Sequence, residues 1–249
     1  MRRLPKATAA ARVLFRALRQ LDDAIMPMRC AFCGTRTGDH QKRICCGCLS
    51  DLPWIENACA QCARPLEVAL PAGVHCASCQ AHPPPFTATV APVRYEFPVD
   101  AGLKALKFSR RLHYAAAFAS LLTSCTYRLP EAPDALLPVP LHWRRQVFRG
   151  FNQARELSRP VARFTGLPII DIARRRRATS YQSGLSAPER RRNLHDVFAV
   201  PSTAHYCHVI IVDDVVTTGE TTRQLAKALI DSGIKQVSVL AVARAVRLR

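Results

Sequence analysis

No stretch of this 249-residue chain approaches the roughly 18 uninterrupted apolar residues of a membrane span, so no transmembrane helix is expected. The first residues carry arginines but lack a short apolar core followed by a small-residue cleavage site, so no secretory signal is expected either. Two familiar phosphate loops are missing. Without a Gly-Lys-Ser/Thr ending there is no nucleoside triphosphatase loop, and without Gly-x-Gly-x-x-Gly there is no dinucleotide fingerprint. Acidic residues are scarce, 18 against 36 lysines and arginines, which leaves a formal net charge of +18. Such a chain points to an anionic partner: nucleic acid, a phosphorylated substrate or an acidic membrane surface.

What the sequence has in excess is cysteine. Eleven cysteines, an odd number with no export signal, argue against a disulfide framework and for metal binding in a reducing cytoplasm. Eight of them form four Cys-x2-Cys pairs: Cys30 and Cys33, Cys45 and Cys48, Cys59 and Cys62, Cys76 and Cys79. The first pair recurs 29 residues on and the second 31 residues on, an internal duplication. Each pair places two thiolates on a tetrahedral zinc, and two pairs close the shell, so two structural zinc ions are expected with no open position for catalysis. Sequential ribbons are assumed, Cys30, Cys33, Cys45 and Cys48 for one zinc and Cys59, Cys62, Cys76 and Cys79 for the other, although an interleaved cross-brace also satisfies the spacing. Cys46 is a spare beside Cys45. Cys125 and Cys207 stand alone in apolar contexts and read as core residues. A segment of this length buries little apolar area, and zinc would fold it.

The cysteine segment spans residues 29–83. Before it, residues 1–28 form a basic amphipathic pattern with Leu14, Leu18, Leu21 and Ile25 on one helical face and Arg12, Arg16 and Arg19 opposite. That pattern suits an interfacial helix touching membrane or DNA, or a surface helix docked on the next domain. Pro83, Pro84 and Pro85 make a stiff boundary. Residues 86–249 then alternate between strand and helix patterns, with strands expected over Thr87–Tyr95 and Ile169–Ala173, and helices over His113–Cys125 and Ala154–Phe164. Lys104 and Lys107 face either an anionic ligand or solvent.

One stretch carries most of the chemistry. Val209 to Val212 read as a strand buried on both faces, with Asp213 and Asp214 where it leaves the sheet. A hydroxyl loop follows, Thr217-Thr218-Gly219-Glu220-Thr221, and then a helix pattern ending near Gly233 and a strand over Val237–Ala243. Backbone N–H groups at a helix start attract phosphate, threonine hydroxyls add donors, and Gly219 permits close approach. Ionised carboxylates suit ribose hydroxyls, directly or through Mg²⁺. Upstream, Pro138-Val139-Pro140-Leu141-His142 is a proline-braced strand end followed by Arg144, Arg145 and Arg149, a candidate pyrophosphate site because guanidinium binds phosphate bidentately. Arg174, Arg175, Arg176, Arg177, Arg190, Arg191 and Arg192 extend the basic field. Between Leu141 and Val200 there are 13 arginines and four acids, so this excess favours anion binding over a merely solvated face. Phe148, Phe151 and Tyr181 are candidate stacking platforms for single strands.

The segment from Val209 to Thr221 resembles the phosphoribosyl-pyrophosphate motif of type I phosphoribosyltransferases. Taken with the paired ribbons, Leu106-Lys107-Phe108, the motif over 138–154 and Gln182-x2-Leu185-x3-Glu189-Arg190-x2-Asn193, the chain resembles the ComF family over about residues 29–245. The resemblance implies an α/β fold: a phosphoribosyltransferase-like parallel sheet flanked by helices, with an N-terminal double zinc ribbon. It implies that Asp213 and Asp214 meet ribose hydroxyls, that Thr217, Thr218, Gly219, Glu220 and Thr221 enclose the 5′-phosphate, and that Pro138 to His142 with Arg144 form the pyrophosphate loop. Mg²⁺ is expected if phosphoribosyl pyrophosphate is bound. A carboxylate at Glu220 beside a phosphate is costly unless it turns away. The implied role is handling incoming single-stranded DNA in natural transformation, with phosphoribosyl pyrophosphate or a similar sugar phosphate as ligand and membrane-surface DNA-uptake machinery as a further partner. Turnover as a phosphoribosyltransferase is the alternative. The location implied is cytoplasmic, peripheral at the inner membrane if the basic start binds lipid; oligomeric state is left open.

Overall fold

The structure, a computed structural model, describes residues 28–37, 43–129, 133–141, 149–175, 197–201 and 205–245. The amphipathic start, His142, Arg144, Arg145, Phe148, Arg176, Arg177, Tyr181 and Arg190 to Arg192 lie outside the described residues. The chain divides into two compact units, Met1–Asp51 and Leu52–Arg249. The expected ribbon segment 29–83 is therefore shared between them.

Each ribbon half is a hairpin knuckle followed by a short helix. In the first unit Arg29 bridges Arg36, and α1 (Cys46–Ser50) follows Cys45. In the second, Ala58 bridges Pro65, and α2 (Ala77–Ala81) follows Cys76. The chain closes both knuckles alike: Cys30 N–H donates to Thr35 O at 2.8 Å and Cys59 N–H to Arg64 O at 3.0 Å. The duplication in sequence is thus a duplication in backbone.

The α/β part of the second unit is a parallel sheet in the order β1, β7, β6, β3, with β2 beside β7 beyond β1. Here β1 is Ala88–Val90, β2 Val93–Arg94, β3 Ala135–Pro138, β6 His208–Val216 and β7 Gln236–Arg244. A separate antiparallel pair joins β4 (Arg174–Arg175) to β5 (Phe198–Ala199). The helices are α3 (Val99–Ser109), α4 (His113–Ser124), α5 (Gln153–Thr165) and α6 (Glu220–Asp231). Central strands buried on both faces need helices on both. Val209, Ile211, Val237 and Val239 share one core cluster with Leu225, Ala226 and Leu229 of α6. Ile210, Val212 and Leu240, pointing the other way, are equally buried. α4 packs against α5, and α5 against β6 and β3.

Three expectations shift. The strand from Val209 continues to Val216, so Asp213 and Asp214 lie within its carboxyl end, with Asp213 still in register with Ala241 of β7. Ile169–Ala173 shrinks to a single bridge between Ile169 and Leu136, because the chain leaves β3 after Ile170 N–H donates to Leu136 O. Cys125 is buried as expected, but Cys207 is exposed: it belongs to the turn before β6, where its own N–H caps the carboxylate of Asp134. Gly233 follows α6 with φ +105°, the stop its position suggested.

Candidate functional site: two metal clusters and an acidic strand end

The cysteines fall into two sequential sets, Cys30, Cys33, Cys45 and Cys48, and Cys59, Cys62, Cys76 and Cys79, with all ligand atoms of each set within 4.8 Å of one another. This excludes the interleaved brace. Cys46 is exposed and outside the first set, because the cap of α1 uses Cys45, whose Sγ accepts the Cys48 N–H. Zn–S bonds of about 2.3 Å in a tetrahedron require sulfurs about 3.8 Å apart. The Cys33–Cys45 and Cys62–Cys76 Sγ separations are 3.6 and 3.7 Å, which fits zinc.

Local donors already favour thiolate at chosen sulfurs. Hydrogen bonds from Thr35, side chain first and then backbone, bring Cys33 down to about 6. Burial raises Cys59, but backbone N–H groups of Cys76, Cys62 and Gln61 outweigh it and bring the thiol to about 7. Burial pushes Cys62 up to about 11. Four thiols this close do not all ionise alone, and a dication supplies the missing charge.

The second site lies at the carboxyl ends of β3 and β6. These strands are parallel with Pro138 opposite Val212, so Pro138 to Leu141 leave the sheet beside Asp213. Asn152 fixes that exit. Its Nδ2 donates to Val139 O at 3.0 Å while its Oδ1 accepts from the Ala154 and Arg155 N–H groups at the start of α5. An asparagine just before a helix pattern is a legible N-cap; its second bond to the Pro138–Leu141 loop is not.

Asp214 N–H donates to Asp213 Oδ1 at 2.8 Å. Burial, and after it the charge of Asp214, pushes Asp213 up to about 8. Asp214 in turn pairs with Lys107 of α3, Nζ to Oδ2 2.6 Å. The sequence left both lysines open, and the fold separates them: Lys107 reaches the acidic pair, while Lys104 pairs with Asp100 on its own helix. The following loop ends at Gly219, the N-cap of α6, with φ +80°. That left-handed backbone is the reason for glycine here, since a Cβ would meet nothing closer than 3.9 Å. Thr218 Oγ1 accepts the Glu220 N–H at 3.4 Å, and the remaining first-turn N–H groups of α6 have no partner within their own helix by construction. Glu220 does turn away: its Oε1 accepts from Gln224 Nε2, one turn along the helix.

Of the arginine field, the described members do different things. Arg149 stands over the exposed ring of Phe108, 5.3 Å from its centroid. Arg175 stacks on Phe198 at 5.5 Å, and Arg174 is exposed on the same short strand. A residue the sequence did not suggest is Arg244, at the end of β7 and 7% exposed. Its Nε donates to Cys62 O at 3.1 Å, and its Nη1 donates to Val216 O at 2.9 Å, to Thr217 O and to Ala245 O at 2.9 Å. Burial pulls this guanidinium below the usual arginine value and the charge of Arg64 adds to that pull, while Cys62 and, more weakly, Cys76 and Cys79 act against it.

Fold and site together define the class: a parallel α/β domain in a chain that also carries the two four-cysteine clusters of a double zinc ribbon. The profile of the double zinc ribbon domain matches residues 21–80. A DNA utilization protein, YhgH, of Salmonella typhi is 34% identical over 228 residues, 88% of this chain and 98% of that protein. Competence protein F of Haemophilus influenzae is 31% identical over 227 residues, 87% of this chain and 97% of that protein. The chain belongs to the family of these proteins, the ComF family. Among solved structures, the allosteric regulatory enzyme of purine biosynthesis aligns over 56% of this chain and 30% of its own at 17% identity and a TM-score of 0.39. Among the described residues no helix is long and apolar enough to cross a membrane.

Proposed function

We propose that this chain handles single-stranded DNA in the cytoplasm as a competence-type protein, and that its α/β domain holds phosphoribosyl pyrophosphate or a similar sugar phosphate at the carboxyl end of β6. The observation that carries the pocket is the continuity of Asp213, Asp214 and the Thr217–Thr221 loop from that strand end into the start of α6. The two carboxylates accept from ribose hydroxyls. The threonine hydroxyls and the first-turn N–H groups of α6 take the 5′-phosphate, and Gly219 lets backbone reach it. Pro138 to His142 with Arg144 receive the pyrophosphate.

Mg²⁺ would come with the ligand's pyrophosphate oxygens and neutralise their charge, and a dication beside the acidic pair would favour the ionised form of Asp213 that burial disfavours. The names of the relatives, DNA utilization and competence proteins, support the nucleic-acid role. In it Arg145, Arg149, Arg174 to Arg177 and Arg190 to Arg192 bind backbone phosphates in a salt-dependent way. The same proposal divides the chain into a basic amphipathic helix over residues 1–28, a double zinc ribbon over 29–83 and a phosphoribosyltransferase-like domain over 86–249.

Calorimetric titration with phosphoribosyl pyrophosphate and Mg²⁺ tests the pocket: saturable binding abolished by Asp214→Asn is expected, and no binding by the zinc-loaded protein overturns it. Release of pyrophosphate with a purine, pyrimidine or amine acceptor would add turnover. Single-strand affinity indifferent to salt would remove the DNA role.

A further inference from the structure

The second zinc cluster and the threonine loop meet at one side chain. Three consecutive carbonyls of the knuckle Cys59–Cys62 are taken by the α/β domain: Ala60 O by Thr89 N–H at 3.0 Å, Gln61 O by Thr89 Oγ1 at 2.8 Å, and Cys62 O by Arg244 Nε. The other edge of the same guanidinium holds Val216 O and Thr217 O, the last residue of β6 and the first of the loop. Among the described residues no carboxylate pairs with Arg244.

A buried cation without a carboxylate needs other compensation. Carbonyl dipoles supply part of it, and the thiols of Cys62, Cys76 and Cys79 are near enough to act on the guanidinium's charge. A zinc ion with four thiolates carries a formal charge of about −2, so the loaded cluster is a counter-ion for Arg244. Loading also fixes the knuckle, and with it the direction of the Cys62 carbonyl. The guanidinium is planar with donors in a rigid fork, so fixing one edge orients the other.

We propose that Arg244 is a positioning residue through which the second zinc cluster sets the shape of the threonine loop, so that zinc at Cys59, Cys62, Cys76 and Cys79 strengthens binding of a sugar phosphate at residues 217–221. The identity of that ligand rests on the pocket reading above; the tether does not. The bonds of Arg244 go to backbone carbonyls and to none of the thiols or threonine hydroxyls.

The test uses the full-length, zinc-loaded chain and three variants, Arg244→Lys, Arg244→Met and Cys79→Ser, with Cys48→Ser at the first cluster as control. Zinc per chain, amide exchange of residues 217–222 and titration with phosphoribosyl pyrophosphate and Mg²⁺ are measured on each. Arg244→Met should keep two zinc ions yet exchange its loop amides about tenfold faster and bind the ligand about tenfold more weakly. Arg244→Lys, keeping charge and length but losing the fork, should fall between. Cys79→Ser should loosen the loop similarly, and adding Arg244→Met to it should loosen it no further. Cys48→Ser should leave the loop unchanged.

Unchanged loop exchange in Arg244→Met or Arg244→Lys with both zinc ions bound overturns the proposal, as does simple additivity of Arg244→Met with Cys79→Ser. If Arg244→Met does not fold, Arg244→Lys and the wild-type comparison with Cys79→Ser decide in the same terms. If the wild type binds no sugar phosphate, the pocket reading fails, while the exchange data still decide the tether.

Discussion

The two cysteine clusters share a spacing and a backbone but differ in burial. In the first, only Cys30 is buried, Cys33 is exposed, and Cys45 and Cys48 are half-buried; in the second, Cys59, Cys76 and Cys79 are buried, Cys62 is half-buried, and Leu66 packs against them. The contrast reaches single residues. Gly34 and Ala63 occupy the same place in their knuckles, and both have positive φ, +75° and +54°. At Gly34 an added Cβ would meet nothing within 4 Å, whereas the methyl of Ala63 is 1% exposed and belongs to the core of the α/β domain. An alanine in that conformation costs roughly 1 kcal/mol, a cost that burial of its methyl offsets. The first cluster is a local staple. The second is part of the wall of the α/β domain.

The largest expected effect follows from that difference. Cys59→Ser should lower the melting temperature of the α/β domain by on the order of 10 °C, since several kcal/mol of metal-linked stability are lost there. Cys30→Ser should leave the same transition within about 2 °C. Calorimetry on both variants checks this, and equal shifts would abolish the distinction. Chelator competition followed with a chromogenic zinc indicator should next show two phases, the first-cluster ion leaving about tenfold faster than the second. A single phase would mean that burial does not protect the metal.

The acidic pair gives a third, smaller effect that separates pocket from metal. The value of Asp213 is raised in the fold, to about 8. Its contribution is therefore complete below its unfolded value and is lost as pH rises through about 8. Asp213→Asn should be more stable than wild type at pH 8 by roughly 1–3 kcal/mol, the difference shrinking towards pH 5. Chemical denaturation at several pH values with zinc held saturating checks it. Lys107→Met should move the Asp213 titration higher still, because the lysine charge lowers it in the wild type. The smallest effects are at the knuckles themselves. Thr89→Val, which removes the bond to Gln61 O, should cost about 1 kcal/mol and quicken zinc loss from the second cluster only. Gly34→Ala should cost the first ribbon about as much, through backbone strain alone, about 1 kcal/mol.

Much of this architecture is legible in the chain because it depends on local chemistry. Four Cys-x2-Cys pairs admit a closed tetrahedral shell, and a β-branched run followed by two acids and a hydroxyl loop admits a strand, a turn and a helix start. Long-range facts are less legible. Cys207 looked like core because its neighbours are apolar, yet one residue before a strand the direction of a side chain is set by the turn, here by Asp134. Lys104 and Lys107 are three residues apart on one helix, and only the tertiary placement of that helix decides that one meets Asp214 and the other Asp100.

By itself, then, the sequence determined the eight clustered cysteines, their fitness for zinc, and the strand–loop–helix unit with its two acids. All of these rest on contacts between residues close in the chain or on the valence of zinc. Only the tertiary structure decided that the clusters pair sequentially, that one is stapled and the other embedded, and that Arg244 joins the embedded cluster to the threonine loop. Cys62 and Arg244 are 182 residues apart. No periodicity or spacing encodes a bond across that distance, because it exists only once β7 has paired with β6 and the second knuckle has closed against the sheet.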